Sequence, residues 1–456
     1  MAIIREPAAL ICFAFVAVSM AFGGGPGELG LAFMAIAIAG LALVVTAVRG
    51  AGAQAFQALP LIVRLAVALA VALPFIQLIP LPPGLWQALP GQGLRAAVLQ
   101  AFGLGGAWLP LSVTPAETAY SAVIGLAMLG LFMAVMAMPQ DRIRALIVFV
   151  VIMIGIGITI GIVQFSSGGD SLQFHKVAHR SALIGFFANK NHMGLTLACL
   201  VPLSFILVEH QLDDRRGVLV LLGLGWIALI ALLVATNSRA GLLLGLMGML
   251  LASLRLFPLH RKKVLLGAVL AAGLAIALAS FVPAIQDIID RFGRVSDDGR
   301  VEILEQGVPL IEQYGALGSG LGSFVSVYAP TEKLAWVNPY YVNHLHNDWL
   351  QLIIEGGAPG VIILLLMLAA LALAARTLWF TAAPARNRLV VFMGDERSFA
   401  WAGFVIIAMF AAHSIGDYPM RRVGTLTLLV IALALVFRPC VNRALLPRLS
   451  GQVNGD

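Results

Sequence analysis

Runs of apolar residues long enough to cross a bilayer recur along the whole chain, and no other feature limits its fold so strongly. A hydrocarbon core about 30 Å thick takes roughly 20 apolar residues per helix, and helices satisfy their backbone polar groups internally. Such runs fall near 8–22, 28–48, 59–80, 116–138, 145–165 and 191–209, then near 217–235, 239–256, 264–283, 359–375, 399–414 and 421–438. The expectation is an all-α, polytopic integral membrane protein with about 12 transmembrane helices. Composition agrees: 60% of the 456 residues are hydrophobic and 11% charged, against about 25% charged in soluble domains. The first run follows Arg5 and ends in "AFGGG", which also suits a signal-peptide cleavage site; an uncleaved span is the favoured reading.

Lys and Arg in short connections set orientation. With the amino terminus inside, "PQDRIR", "DDRRG", "LRLFPLHRKK" and "AARTLWFTAAPARNR" lie in the cytoplasm, as does the tail 441–456. The net charge of +7 then reports topology, not a nucleic-acid partner. Cys12, Cys199 and Cys440 form no CxxC pair, which argues against a disulfide or zinc framework. ATP-driven classes lose support, since no Walker A sequence is present. Two substantial loops face outward. Residues 81–115 are nearly uncharged and rich in Pro, Gly and Trp, suiting the membrane interface. Residues 284–358 form the long polar region where function is expected. Basic residues in "HKVAHRSALIGFFANK", in that loop and in "DYPMRR" run against the positive-inside rule.

Within the loop, "NHLHNDWLQLIIEGGAPG" concentrates chemistry-bearing residues. From His346 to Gly356 the spacing predicts a short amphipathic helix, stopped by "GG" and followed by a new helix at Pro359. On a helical wheel Trp349, Leu350, Leu352, Ile353 and Ile354 share the apolar face, and Asn347, Asp348, Gln351 and Glu355 the polar one. His346 falls on the apolar arc, where a helix amino terminus favours neutral imidazole, a usable base. Two other readings stay open: a buried histidine satisfied by a neighbour, and a His344-x-His346 metal pair.

The pattern His346-Asn347, nine residues, Gly357, two residues, Gly360 resembles the O-antigen ligase and polymerase superfamily. "FFANKNHMG", "TNSRAG", "GRVEILEQGVPLI" leading to "GSGLGSF", and "HSIGDYPMRR" resemble it too, in the same order. The resemblance covers roughly 120–440, including the loop 284–358; residues 1–119 match only in hydropathy and in the interface loop "IPLPPGLW". It implies a GT-C-type glycosyltransferase on the periplasmic face of the bacterial inner membrane. Such an enzyme moves a glycan from an undecaprenyl diphosphate carrier to a lipid or glycan acceptor by inverting, metal-independent transfer without a cofactor. The implied partners are that donor, the acceptor and the bilayer, with no nucleic acid. No DxD pair, the usual metal-nucleotide ligand set, is present; the adjacent aspartates are Asp213-Asp214 and Asp297-Asp298.

A leaving diphosphate gathers negative charge, which preorganised guanidinium groups stabilise. Arg239 and Arg300 are the candidates. Arg239 alternatively snorkels to headgroups, and Arg300 alternatively pairs with Asp297, Asp298 or Glu302. His346 is the candidate general base, or the group that positions the acceptor. Substrate-binding candidates are Asn189, Lys190, Asn191, His192, His344, Asn347, Arg421 and Arg422, with capping or interface anchoring as the alternatives. His413 and Asp417 read as closing a helix rather than as catalytic. Ligase and polymerase share these motifs. A non-catalytic transporter ranks below both, because two related halves are not visible.

Overall fold

A computed structural model of the chain describes residues 7–25, 30–176, 178–208, 215–279, 299–334, 341–380 and 395–441. Asp213-Asp214, Asp297-Asp298 and the tail 442–456 lie outside the described residues. The helices run α1 (Pro7–Phe22), α2 (Leu31–Arg49), α3 (Ala51–Gln57), α4 (Leu61–Gln77), α5 (Pro83–Trp86) and α6 (Gly93–Ala101). Then come α7 (Pro115–Ala137), α8 (Gln140–Ser166), α9 (Lys190–Val208), α10 (Arg215–Ala235), α11 (Arg239–Leu256) and α12 (Arg261–Ala279). The last five are α13 (Arg300–Tyr314), α14 (Phe324–Tyr328), α15 (Asp348–Phe380), α16 (Asp395–His413) and α17 (Val423–Phe437). Pro80–Leu81 pairs antiparallel with Leu109–Pro110.

The chain is therefore an all-α polytopic membrane protein. Eight described helices are long and apolar enough to cross a bilayer, or nine if α3 and α4, which meet at a 119° bend, make one crossing. Shorter or more polar helices, α1, α12 and α16, stand at the other expected positions. The core runs through α1, α7, α8, α9, α16 and α17, and α9 and α17 are the most enclosed. Helices α9 and α11 approach so closely that a Cβ on Gly241 would lie 2.6 Å from the Gly194 Cα. Small residues permit this where lipid supplies no hydrophobic drive.

Helix α15 joins two expected elements across a break at Gly357, whose φ is +61°. The break follows from the sequence. Pro359 has no N–H for the Glu355 carbonyl, so that carbonyl accepts instead from Gly320 N (3.1 Å) and Gln77 Nε2 (2.8 Å). The preceding carbonyl, Ile354, accepts from Ser319 N at 2.9 Å. The "GSGLGSF" loop is thus stitched to the kink, and a Cβ on Gly357 would strike Gly318 N at 2.4 Å.

Two expectations about this helix need correction. His346 is not on it. Asn347 is the cap, its Oδ1 accepting from Leu350 N at 3.0 Å, so helical geometry starts at Asp348 and His346 sits before it with φ +57°. The wheel's polar face is also the buried one: Asp348, Gln351 and Glu355 are 4%, 1% and 0% exposed. An amphipathic helix beside lipid turns its charges inward, where partners exist.

Those partners centre on Arg421. Its Nε donates to Asp348 Oδ1 at 3.2 Å and its Nη1 to Glu355 Oε2. Asp348 Oδ2 accepts from Ser414 Oγ (3.0 Å) and Met420 N (3.1 Å), and Glu355 Oε1 from Gln351 Nε2 (3.0 Å) and Phe324 N (3.1 Å). Two carboxylates and one cation thereby tie α14, α15 and the turn 414–422 together. Removing one member of such a buried set strands the others, at a cost of about 3–5 kcal/mol. Arg421→Met should lower the unfolding midpoint of the detergent-purified protein accordingly, followed by thermal scans. Unchanged stability would show that the two carboxylates do not need their cation.

Candidate functional site

The amino termini of α9, α11 and α13, the turn 414–422 and the segment 341–347 meet at one end of the bundle, around Asp417. Local caps set the helix starts. Asn189 Oδ1 accepts from Asn191 N at 2.9 Å, and Ser238 Oγ from Gly241 N at 3.1 Å. Ser238 Oγ also donates to Asn191 Oδ1 at 2.9 Å, which holds the start of α11, with Arg239 as its first residue, against the start of α9.

Asp417 is 2% exposed and heavily contacted. Asn191 Nδ2 donates to its Oδ2 at 2.6 Å, and Tyr418 N to its Oδ1 at 2.9 Å. Arg300 Nη2 lies 3.6 Å from Oδ2, while Arg300 Nη1 donates to the Gly416 carbonyl. Three imidazoles face the same carboxylate: His192 Nε2 at 3.7 Å and His346 Nδ1 at 3.8 Å from Oδ1, and His413 Nε2 at 4.0 Å from Oδ2. Burial works against the charge on Asp417, but the facing His192 and His346 rings outweigh it and hold its pKa well below the usual carboxylate range. Tyr418 packs beside it. The His192, His344 and His346 ring centroids lie 5.1, 4.1 and 4.9 Å from that of Tyr418, and Arg422 stacks over its ring at 5.1 Å.

The three imidazoles differ in access. His192 and His413 are enclosed, whereas the His346 side chain is 19% exposed. His346 also holds a left-handed backbone conformation that a non-glycine residue adopts only when its surroundings fix it. With Nδ1 turned to Asp417, Nε2 is the nitrogen left for a substrate. The 3.8 Å separation is an electrostatic contact and not a hydrogen bond; such contacts commonly shorten once substrate is in place.

The other candidate residues divide. Asn189, Asn191 and His192 are at the cluster, Asn189 Nδ2 reaching Tyr418 Oη at 3.5 Å. Lys190 and Arg239 are the half-buried first residues of α9 and α11. Asn347 is occupied at both ends, as the α15 cap and through Nδ2 donating to the Ile415 carbonyl at 3.0 Å. Arg421 is held by Asp348 and Glu355, and Arg422 Nη1 donates to the Gly25 carbonyl at 2.9 Å. Both arginines are thus built into the frame. His344 faces Gln351, whose Nε2 lies 3.3 Å from its Nδ1, while His346 faces Asp417. The residue that sequence reasoning underrated is Asp417. "HSIGDYPMRR" carried the signal, but an aspartate after a helix ordinarily looks like a local turn, and its partner Asn191 is 226 positions away.

A family described as O-Antigen ligase matches residues 224–365. Exopolysaccharide production protein ExoQ of Rhizobium meliloti (strain 1021) is 24% identical over 198 residues, 41% of this chain and 45% of that protein. These findings support an O-antigen ligase-like family for the chain. The matched segment contains Arg239, Arg300, His344, His346 and Asn347 but stops short of both flanking parts of the cluster, 189–192 and 413–422. The contacts around Asp417 join those parts to the matched segment.

Burial, then the Arg422 and Arg421 guanidiniums, push the His344 imidazole well below its ordinary pKa. It stays neutral in the fold, while the unfolded chain takes up a proton near pH 6.5. Stability that His344 supports is therefore fully present above about pH 6.5 and is lost progressively as pH falls below it. His344→Gln should flatten the acid limb of the unfolding midpoint against pH. An equally steep limb in the variant would assign the acid sensitivity to other groups.

Proposed function

We propose that the chain is a membrane glycosyltransferase of the O-antigen ligase and polymerase type. It moves a glycan from an undecaprenyl diphosphate carrier to an acceptor hydroxyl on the periplasmic face of the bacterial inner membrane. The observation that carries this reading is the exposed edge of His346 beside buried Asp417, with Arg300 on the other carboxylate oxygen. A base and a cation share one anchor.

The chemistry follows. His346 Nε2 takes the acceptor hydroxyl proton as the oxygen attacks the anomeric carbon, and Asp417 stabilises the imidazolium that forms. The bond from that carbon to the diphosphate oxygen breaks, and its electron pair leaves with the diphosphate. Arg300 and Arg239 meet the growing negative charge, aided by the backbone N–H groups at the starts of α9 and α11. Attack opposite the leaving group inverts the anomeric carbon. The proton then passes to the departing diphosphate or to water. Because guanidinium groups carry the leaving-group charge, the reaction is proposed to run without a metal and to survive EDTA.

A polymerase acting on lipid-linked repeats is the second reading, favoured by the exopolysaccharide role in the relative's name. Deleting the gene and analysing the lipid-linked glycans separates the two. Long polymer accumulates when a ligase is lost, and single repeat units when a polymerase is lost. For either, His346→Ala should cut turnover by about 10²- to 10⁴-fold while donor binding persists, and His344→Ala should cost much less. Near wild-type turnover in a folded His346→Ala protein would remove the base from this scheme, and a larger loss at His344 would move the role there.

A further inference from the structure

Between Arg64 and Glu117 the sequence carries a single charged residue, Arg95. The structure turns that charge inward. Arg95 Nη1 donates to the carbonyls of Pro110 (3.0 Å) and Ser112 (3.2 Å) and to Gln92 Oε1 (3.2 Å), and the guanidinium stacks over Trp86 at 5.3 Å. Trp86 is itself fully buried, its Nε1 donating to the Ala107 carbonyl at 2.9 Å. The exposed side of this shelf, formed by α5, α6 and the chain to Trp108, is mainly apolar, with Gln100 as its polar residue. Leu85, Leu94, Val98, Phe102, Leu104 and Trp108 are between 48% and 77% exposed.

Facing water, such an arrangement would be inside out. It follows directly in sequence on an apolar side of α4, a helix long and apolar enough to cross a membrane together with α3: along α4 and its exit, Leu65, Leu69, Phe75, Ile76 and Ile79 are exposed in turn, with no charge before the shelf begins. An uncharged outward face, Leu94 and Val98 one helical turn apart, and an exposed tryptophan beside a buried one suit the headgroup–acyl boundary. The shelf is also fastened to the frame of the site. Val113 N donates to the Ser319 carbonyl (2.9 Å), Tyr314 Oη to the Gly91 carbonyl (3.1 Å), and Gln77 bridges Leu321 N and the Glu355 carbonyl (2.9 and 2.8 Å).

We infer that α5, α6 and Trp108 form a lipid-docking shelf. It sits in the leaflet on the site's own side and fixes the height of the Asp417 cluster relative to the headgroups, where a lipid-linked diphosphate lies. The docking stands apart from the proposed transferase activity; only the use made of that height rests on it.

The test reads depth and not turnover. The full chain, with Cys440→Ser and its two buried cysteines kept, is placed in phosphatidylethanolamine–phosphatidylglycerol nanodiscs. Nitroxides go at Val98→Cys, Phe102→Cys and, as a control on the exposed side of α14, Ser326→Cys. Labels at 98 and 102 should collide more with oxygen than with a water-soluble nickel chelate, and the label at 326 the reverse. Nickel accessibility at 98 and 102 equal to that at 326 would overturn the inference. So would shielding from both reagents with dipolar broadening, which would put a second copy of the chain on the shelf. If Val98→Cys fails to fold, Leu104→Cys, in the turn after α6, gives the same readout.

Discussion

A carboxylate with almost no access to water, Asp417, holds the candidate site together. Burying such a charge is costly unless it is met from several sides, and the fold meets it with groups from four separate stretches of chain. Asn191 and His192 come from the start of α9, Arg300 from the start of α13, His346 from the approach to α15, and His413 from the end of α16. That convergence supports a division of labour. The enclosed imidazoles and Asn191 hold the anion, while the partly open His346 keeps one nitrogen for chemistry.

Asp417 keeps its place because the turn that carries it is pinned twice more. Arg421 joins that turn to Asp348 and Glu355 of α15, and Arg422 joins it to the Gly25 carbonyl beyond α1. The break at Gly357 belongs to the same system. The carbonyls it releases are taken up by the 319–320 loop and by Gln77, so the end of α4 helps to hold the helix that follows His346.

How far the sequence could be read depended on the range of the interaction. Hydropathy located the apolar helices, because a span is a local property of about 20 residues. The break near Gly357 was legible for the same reason: Pro359 and two glycines lie within a single turn. The orientation of the first turn of α15 was not. A helical wheel assigns polar residues to water, whereas Asp348, Gln351 and Glu355 face inward because Arg421 and the amide of Phe324 wait there, more than 30 residues away in sequence. His346, Arg300 and Asn191 could be named from the resemblance, but their common partner could not. Asp417 and His413 looked like the ordinary close of a helix until distant segments were folded against them.

The most direct test of this account replaces Asp417 by asparagine, nearly the same shape without the charge. The purified, reconstituted protein is assayed for donor binding and for the initial rate of transfer from an undecaprenyl diphosphate-linked glycan. The account predicts a folded protein that still binds donor but turns over about 10²- to 10⁴-fold more slowly, because His346 loses the anion that stabilises its protonated form. Turnover close to wild type would contradict it, since the carboxylate at the centre of the cluster would then be dispensable.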